Sequence, residues 1–153
     1  FLMIALMFVG ASPGSTGGGI KTTTLRILAN CTYTVLRGRD DVILYRRQVP
    51  KKMLMKAFAV AMGSLVAVIL VVIAIAVSDP HFSFVEILFE SVSAFGTVGL
   101  SMGITAKLSA LAKLIIISLM YIGRVGVLLL MEAMLGEPKA SEIRYPEEDL
   151  LVG

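Results

Sequence analysis

Ser91-Val-Ser-Ala-Phe-Gly-Thr-Val-Gly-Leu-Ser101 decides how this chain is read. It lies between two long apolar runs and follows a short stretch, Ser83 to Phe95, that reads as a helix. Beyond it, Thr97-Val98-Gly99 offers backbone rather than side-chain chemistry, a β-branched pair followed by a glycine. No nucleophile, general base or metal-ligating cluster accompanies it.

The surrounding composition sets the solvent. Of 153 residues, 57% are hydrophobic and only 16% charged, with a mean hydropathy of +0.89. This is too apolar for an ordinary soluble domain and points to membrane spans. Within a bilayer, backbone that is neither helix nor barrel is tolerated only where protein buries it or where it lines a water-filled path. A row of carbonyl oxygens there can replace an ion's hydration shell, and a Thr-Val-Gly core is a form such filters take. Thr97, Val98, Gly99 and Leu100 are therefore candidate cation-filter residues, within a filter segment 96–101.

Immediately outward, Ser83 to Phe95 is too short to span a membrane. Ser83 with Glu86 three residues on has the capping-box pattern. Glu86 and Glu90 stack at i, i+4. Capping suffices for Glu86, whereas Glu90, deeper, is a candidate filter support pairing with filter amides or a neighbouring segment. The same spacing raises an acid/base pair, which nothing nearby supports. If the helix dips in from outside, its C-terminal end carries about half a negative charge toward the membrane centre. On the other side, Met102 to Lys113 returns to the outer surface.

Two spans flank this centre. Ala57 to Val77 is uncharged and long enough to cross about 30 Å of hydrocarbon. It ends at Ser78-Asp79-Pro80-His81, where His81 reads as a solvated loop residue. Ala112 to Met134 forms the last span, with Gly123-Arg124-Val125-Gly126 at its middle. A mid-membrane arginine costs about 2.5–3.5 kcal/mol on insertion scales, so Arg124 should face protein or a wet cavity. It serves either to satisfy buried carbonyls or to gate, with Gly123 and Gly126 admitting another backbone. The tail 136–153 is acidic and soluble.

Further out lies Gly10-Ala-Ser-Pro-Gly-Ser-Thr-Gly-Gly-Gly-Ile-Lys-Thr-Thr-Thr24, after the apolar Phe1–Val9. Glycine costs about 1 kcal/mol and proline about 3 in a helix, so the helix breaks, to resume at Leu25–Leu36. A surface linker is one reading. A phosphate loop is a second, but Ile20 intrudes between Gly19 and Lys21, and Thr22 stands where a dinucleotide loop needs glycine. A broken membrane helix whose loop sits in a pore is the third, favoured by the apolar lead-in. Between Arg26 and Lys56, eight basic residues face only Asp40 and Asp41. Little aromatic interleaving argues against nucleic acid, and the positive-inside rule places this solvated loop in the cytoplasm. Cys31, the single cysteine, excludes an internal disulfide framework. The chain does not begin with Met, and Phe1–Val9 is half a span, so it reads as a C-terminal fragment of something longer.

GSTGGGIKTTT, FESVSAFGTVGLSMG, YIGRVG and the terminal RYPEED with its following VG together resemble the Trk/Ktr/HKT potassium transporters, with the Ktr membrane (ion-translocating) subunit the nearest likeness. The resemblance runs over essentially the whole chain. It implies an all-α membrane protein of four membrane–pore–membrane repeats around one pore. Residues 1–36 would be the broken second helix of repeat three, with intramembrane loop 10–24. Residues 37–53 would be the basic cytoplasmic loop. Residues 54–135 would be repeat four, with helix 54–77, pore helix 83–95, the filter and helix 112–135. The filter glycine maps onto Gly99, the gate-loop residues onto Gly17, Gly18, Gly19 and Lys21, and the arginine facing the loop onto Arg124. Val127 stands where members often carry proline. The implied function is K⁺ uptake across the cell membrane by a multi-pass protein with its C-terminus in the cytoplasm. K⁺ is the transported ion and Na⁺ a candidate coupling or activating ion; no other metal or cofactor is expected in this chain. A homodimer docked on a cytosolic ring of nucleotide-binding regulatory subunits is implied, and neither an enzyme nor a nucleic-acid partner. The rival from another class is a non-conducting structural or assembly subunit whose re-entrant segment only packs.

Overall fold

The computed structural model describes residues 1–38, 42–44 and 47–126. Apart from one short hairpin, the regular structure of these residues is helical. The expected tail 136–153, residues 127–135 of the expected last helix, Val127, and Arg39 to Asp41 of the basic loop lie outside the described residues.

Helix α1 spans Leu2–Phe8 and stops where Val9 turns extended (φ −83, ψ 99) ahead of Gly10 and Pro13. Helix α2, Thr22–Leu36, starts as soon as the glycines end. The expectation of resumption at Leu25 was too late: Thr22, Thr23 and Thr24 are already helical. Threonine is only mildly unfavourable in a helix, and Leu25 N–H bonds back to Lys21 O at 3.2 Å. The neck of the intervening loop closes by a parallel bridge between Val9 and Ile20, with Gly10 N–H on Ile20 O at 2.8 Å and Ile20 N–H on Phe8 O at 3.2 Å.

The described part of the basic stretch, expected as a solvated loop, contains two short strands. Strands β1 (Ile43–Leu44) and β2 (Arg47–Gln48) pair antiparallel, Ile43 opposite Gln48 and Leu44 opposite Arg47. Pro50 then caps helix α3, Lys51–Ser78, so Lys51 and Lys52 are helical rather than loop residues. At 28 residues α3 is about 42 Å long. Among the described residues it alone is long and apolar enough to cross a membrane, with a mean hydropathy of 3.0 in its most apolar window and only 22% of that window buried.

Helix α4, Phe84–Gly96, sits at the centre, packed against α1, α3 and helix α5, Ala110–Val125. Its start carries both halves of the capping box, Ser83 N–H donating to Glu86 Oε2 at 2.9 Å. Every residue from Glu90 to Gly96 is buried, and Phe95 shares the deepest core with Ile75, Ile87 and Leu119. Ser109 caps α5 by accepting from Ala112 N–H and also donates to Asp79 Oδ2 at 2.7 Å, joining the end of α3 to the start of α5. The expected helix 112–135 does not run through Gly126. Helix α5 ends at Val125, and Gly126 adopts φ 91, ψ 134, which no helix continues. Among the described residues nothing lies within 4 Å of where a Gly126 side chain would start, whereas at Gly123 a side chain would overlap the Phe95 carbonyl.

Candidate functional site

The site is the place where α4 stops. Thr97 N–H bonds to Ala94 O and Val98 N–H to Ser93 O, both at 3.0 Å, the pair of bonds that closes a Schellman end. That closure needs a left-handed residue, and Thr97 supplies it at φ 51, ψ 39. Left-handed backbone costs an L-residue about 1–2 kcal/mol, so glycine is the usual occupant. Thr97 brings an acceptor in return, its Oγ1 taking Gly18 N–H at 2.8 Å.

Past this turn the chain presents bare backbone. Val98 and Leu100 are exposed, at 45% and 42%. Gly99, at φ 82, has nothing among the described residues within 4 Å of where a side chain would start. Among the described residues none of the carbonyls of Thr97, Val98, Gly99 and Leu100 accepts a hydrogen bond from the chain. The four carbonyls stand in sequence just beyond the helix end, whose dipole is negative there.

The far side of this segment is pinned by Glu90, 5% exposed. Its Oε1 accepts from Ser101 Oγ and, at 2.9 Å, from Thr105 Oγ1. Ser101 Oγ also accepts Gly103 N–H at 2.9 Å. Glu90 thus holds the last residue of the expected filter segment 96–101, and Thr105 beyond it, through side-chain hydroxyls; among the described residues no bond from it to a filter amide is present. With Gly99, Leu100, Ser101 and Thr105 it lines a cavity of about 140 Å³.

The glycine-rich loop closes the site from the other side. Gly18 is buried, and a side chain there would come within 2.9 Å of Phe95 O and 3.0 Å of Gly123 O. Gly19 N–H donates to Gly123 O at 3.2 Å. Arg124 Nη1 donates to Thr16 O. Lys21 Nζ donates to Gly17 O at 2.6 Å and Ser15 O at 3.5 Å. Gly18 therefore meets Thr97, and Gly19 and Arg124 join the loop to α5. Lys21 bonds only within its own loop and Gly17 touches neither α4's end nor α5. Sequence reasoning missed Thr16, Ser101 and Thr105. Thr16 acts through its carbonyl, which leaves no trace in residue type. Ser101 and Thr105, hydroxyls at i, i+4, were a legible partner set for a buried Glu90.

Compared with protein families, residues 1–141 match TrkH, a cation transport protein. The chain belongs to the TrkH family of cation transport proteins. It is 39% identical over 153 residues to the Ktr system potassium uptake protein D of Bacillus subtilis, covering 100% of this chain and 34% of that one. Against the Ktr system potassium uptake protein B of Vibrio alginolyticus identity is 40% over 152 residues, covering 99% and 33%. Against the potassium/sodium uptake protein NtpJ of Enterococcus hirae it is 40% over 157 residues, covering 99% and 35%. The chain spans about a third of the length of these curated relatives. A transporter family of this kind is a membrane family, which accounts for the outward-facing apolar surface of α3. These relatives are uptake proteins and not enzymes.

Proposed function

We propose that this chain supplies one filter segment and the gate of a K⁺ uptake pathway through the cell membrane. The observation that carries the reading is the run of four carbonyls, Thr97 to Leu100, that receive no hydrogen-bond donor among the described residues. A dehydrated cation is the natural partner for such oxygens. One segment surrounds nothing, so the path requires equivalent segments from the longer protein, in keeping with relatives about three times this length. In this reading α3, α4 and α5 with the filter between them form the fourth membrane–pore–membrane repeat, and α1, the loop and α2 form the broken second helix of the third.

The loop is the gate. Gly18 lies against the filter's end and, with Gly19, against α5, Gly17 holds Lys21 within the loop, and Lys21 and Arg124 add positive charge that opposes a cation's passage while the loop is docked. The basic stretch 37–53 and the C-terminus face the cytoplasm. The longer protein is a multi-pass homodimer that meets a cytosolic nucleotide-binding ring, takes K⁺ as its cargo, and leaves Na⁺ as the candidate coupling or activating ion.

The test is Gly99→Ser in the full-length protein, with K⁺ and Na⁺ uptake measured side by side. A side chain at φ 82 is strained whatever the space around it, so the carbonyls on either side must turn. Discrimination against Na⁺ should fall about tenfold, some 1.4 kcal/mol of selectivity. An unchanged ratio removes Gly99 from the filter.

A further inference from the structure

The filter reading uses the carbonyl of Thr97 and leaves its side chain unexplained. A helix end of this geometry ordinarily takes glycine, yet threonine stands here at φ 51. Its hydroxyl accepts Gly18 N–H at 2.8 Å, from 79 positions away in the chain. Gly18 is buried, and among the described residues its N–H has no other acceptor. The Thr97 methyl lies beside it too, 3.0 Å from where a Gly18 side chain would begin. We infer that Thr97 is a positioning residue whose hydroxyl latches the glycine loop to the candidate filter, so that loop release and filter geometry form one equilibrium. The inference rests on the filter-and-gate reading above and adds the link between the two.

The physical logic runs in both directions. When the loop leaves, the buried Gly18 N–H loses its partner and Thr97 loses the bond that offsets its left-handed backbone. When an ion draws on the carbonyls of Thr97 and Val98, the backbone angles that aim Oγ1 at Gly18 change as well. Coupling of this kind is reciprocal: an ion that favours one filter geometry favours one loop position. The loop of the intact protein should therefore respond to which ion fills the filter.

The experiment uses the full-length protein in liposomes, with Cys31→Ser and a nitroxide on Ser12→Cys, an exposed loop position outside the latch. Thr97→Val keeps the β-branch and removes the acceptor. Thr97→Ala removes it with less bulk, and carries the test if the valine variant does not assemble. Thr97→Ser keeps it. One neutral hydrogen bond corresponds to about a two- to tenfold change in the ratio of mobile to docked loop. That rise is expected in Thr97→Val and Thr97→Ala and not in Thr97→Ser. Exchanging K⁺ for Na⁺ should shift the ratio in the parent and in Thr97→Ser, and not in the two variants lacking the hydroxyl. A loop spectrum unchanged by removal of the hydroxyl, or an equal change in Thr97→Ser, overturns the latch. The underlying reading fails separately, through an unaltered K⁺/Na⁺ uptake ratio in Gly99→Ser measured in the same liposomes.

Discussion

Two irregular segments meet at the centre of this chain, and they treat their backbones in opposite ways. The loop from Gly10 to Lys21 is tied at many points. Gly18, Gly19 and Ile20 donate their N–H groups to other parts of the chain, Gly10 donates across the loop's own neck to Ile20, and Gly17 and Thr16 receive Lys21 and Arg124 on their carbonyls. Among the described residues the segment from Thr97 to Ser101 is fixed at its ends alone, by the closure at Thr97 and Val98 and by Ser101 on Glu90, and the four carbonyls from Thr97 to Leu100 accept no hydrogen bond. A segment held at its ends leaves the carbonyls between them as acceptors for something outside the segment. A segment held by several separable bonds, some of them to side chains, is one whose docked position can be given up. This contrast separates the candidate filter from the candidate gate more sharply than composition does, since both segments are short and contain glycine.

The largest effect expected from breaking the contrast is removal of the tied segment. Deleting Gly17–Lys21 in the full-length protein takes away the Gly18, Gly19 and Lys21 contacts together, and K⁺ flux should rise by about tenfold or more, a barrier change of at least about 1.4 kcal/mol. Flux that is unchanged or lower at normal expression would sink the gate. Next comes the close approach on which docking depends. In Gly123→Ala the new methyl would overlap the Phe95 carbonyl oxygen. Both groups are backbone and neither yields easily, so overpacking should destabilise the protein by about 1–3 kcal/mol. Thermal unfolding in detergent should show a lower midpoint, while Ser118→Ala on the exposed side of α5 should not.

How far this arrangement was legible follows from what each residue type can signal. The capping box at Ser83 and Glu86 was readable because both partners lie in one local pattern. The break after Val9 and the apolar run of α3 were readable from glycine, proline and hydropathy. Gly123 was readable as a close approach, and it is one, but its neighbour in the same motif is not. Gly126 ends α5 at φ 91, and a glycine's letter does not say whether it yields space or backbone angle. The hairpin at Ile43–Gln48 was hidden because strands of two residues leave no alternation to read. Tertiary ties between main-chain atoms, such as Gly19 N–H on Gly123 O, carry no residue signature, and for Arg124 on Thr16 O only the arginine's side of the bond was legible. The side of the loop that meets Thr97 therefore emerged only from the structure.

Smaller effects sharpen the comparison further. Arg124→Gln keeps a donor toward Thr16 O and removes the charge. A hydrogen bond to a charged group contributes about 1.5–3 kcal/mol against about 1 for a neutral one, so K⁺ flux should rise only a few-fold, less than after loop deletion. A rise equal to the deletion's would mean that Arg124 alone holds the gate.

The smallest effect belongs to the pinned end of the other segment. Glu90→Gln retains an Oε1 acceptor for Ser101 and Thr105, so the segment after Gly99 stays anchored and the K⁺/Na⁺ uptake ratio should change by less than about threefold, under 1 kcal/mol. Glu90→Leu removes the acceptor altogether. The two hydroxyls, both on exposed residues and 2.8 Å apart, keep each other but lose the charged acceptor that anchors them, about 1.5–3 kcal/mol, and both stability and ion discrimination should fall. If glutamine and leucine behave alike, the charge of Glu90 matters to permeation and not its hydrogen bonds, and the pinning of Ser101 is no longer what keeps the carbonyls of Thr97 to Leu100 in place.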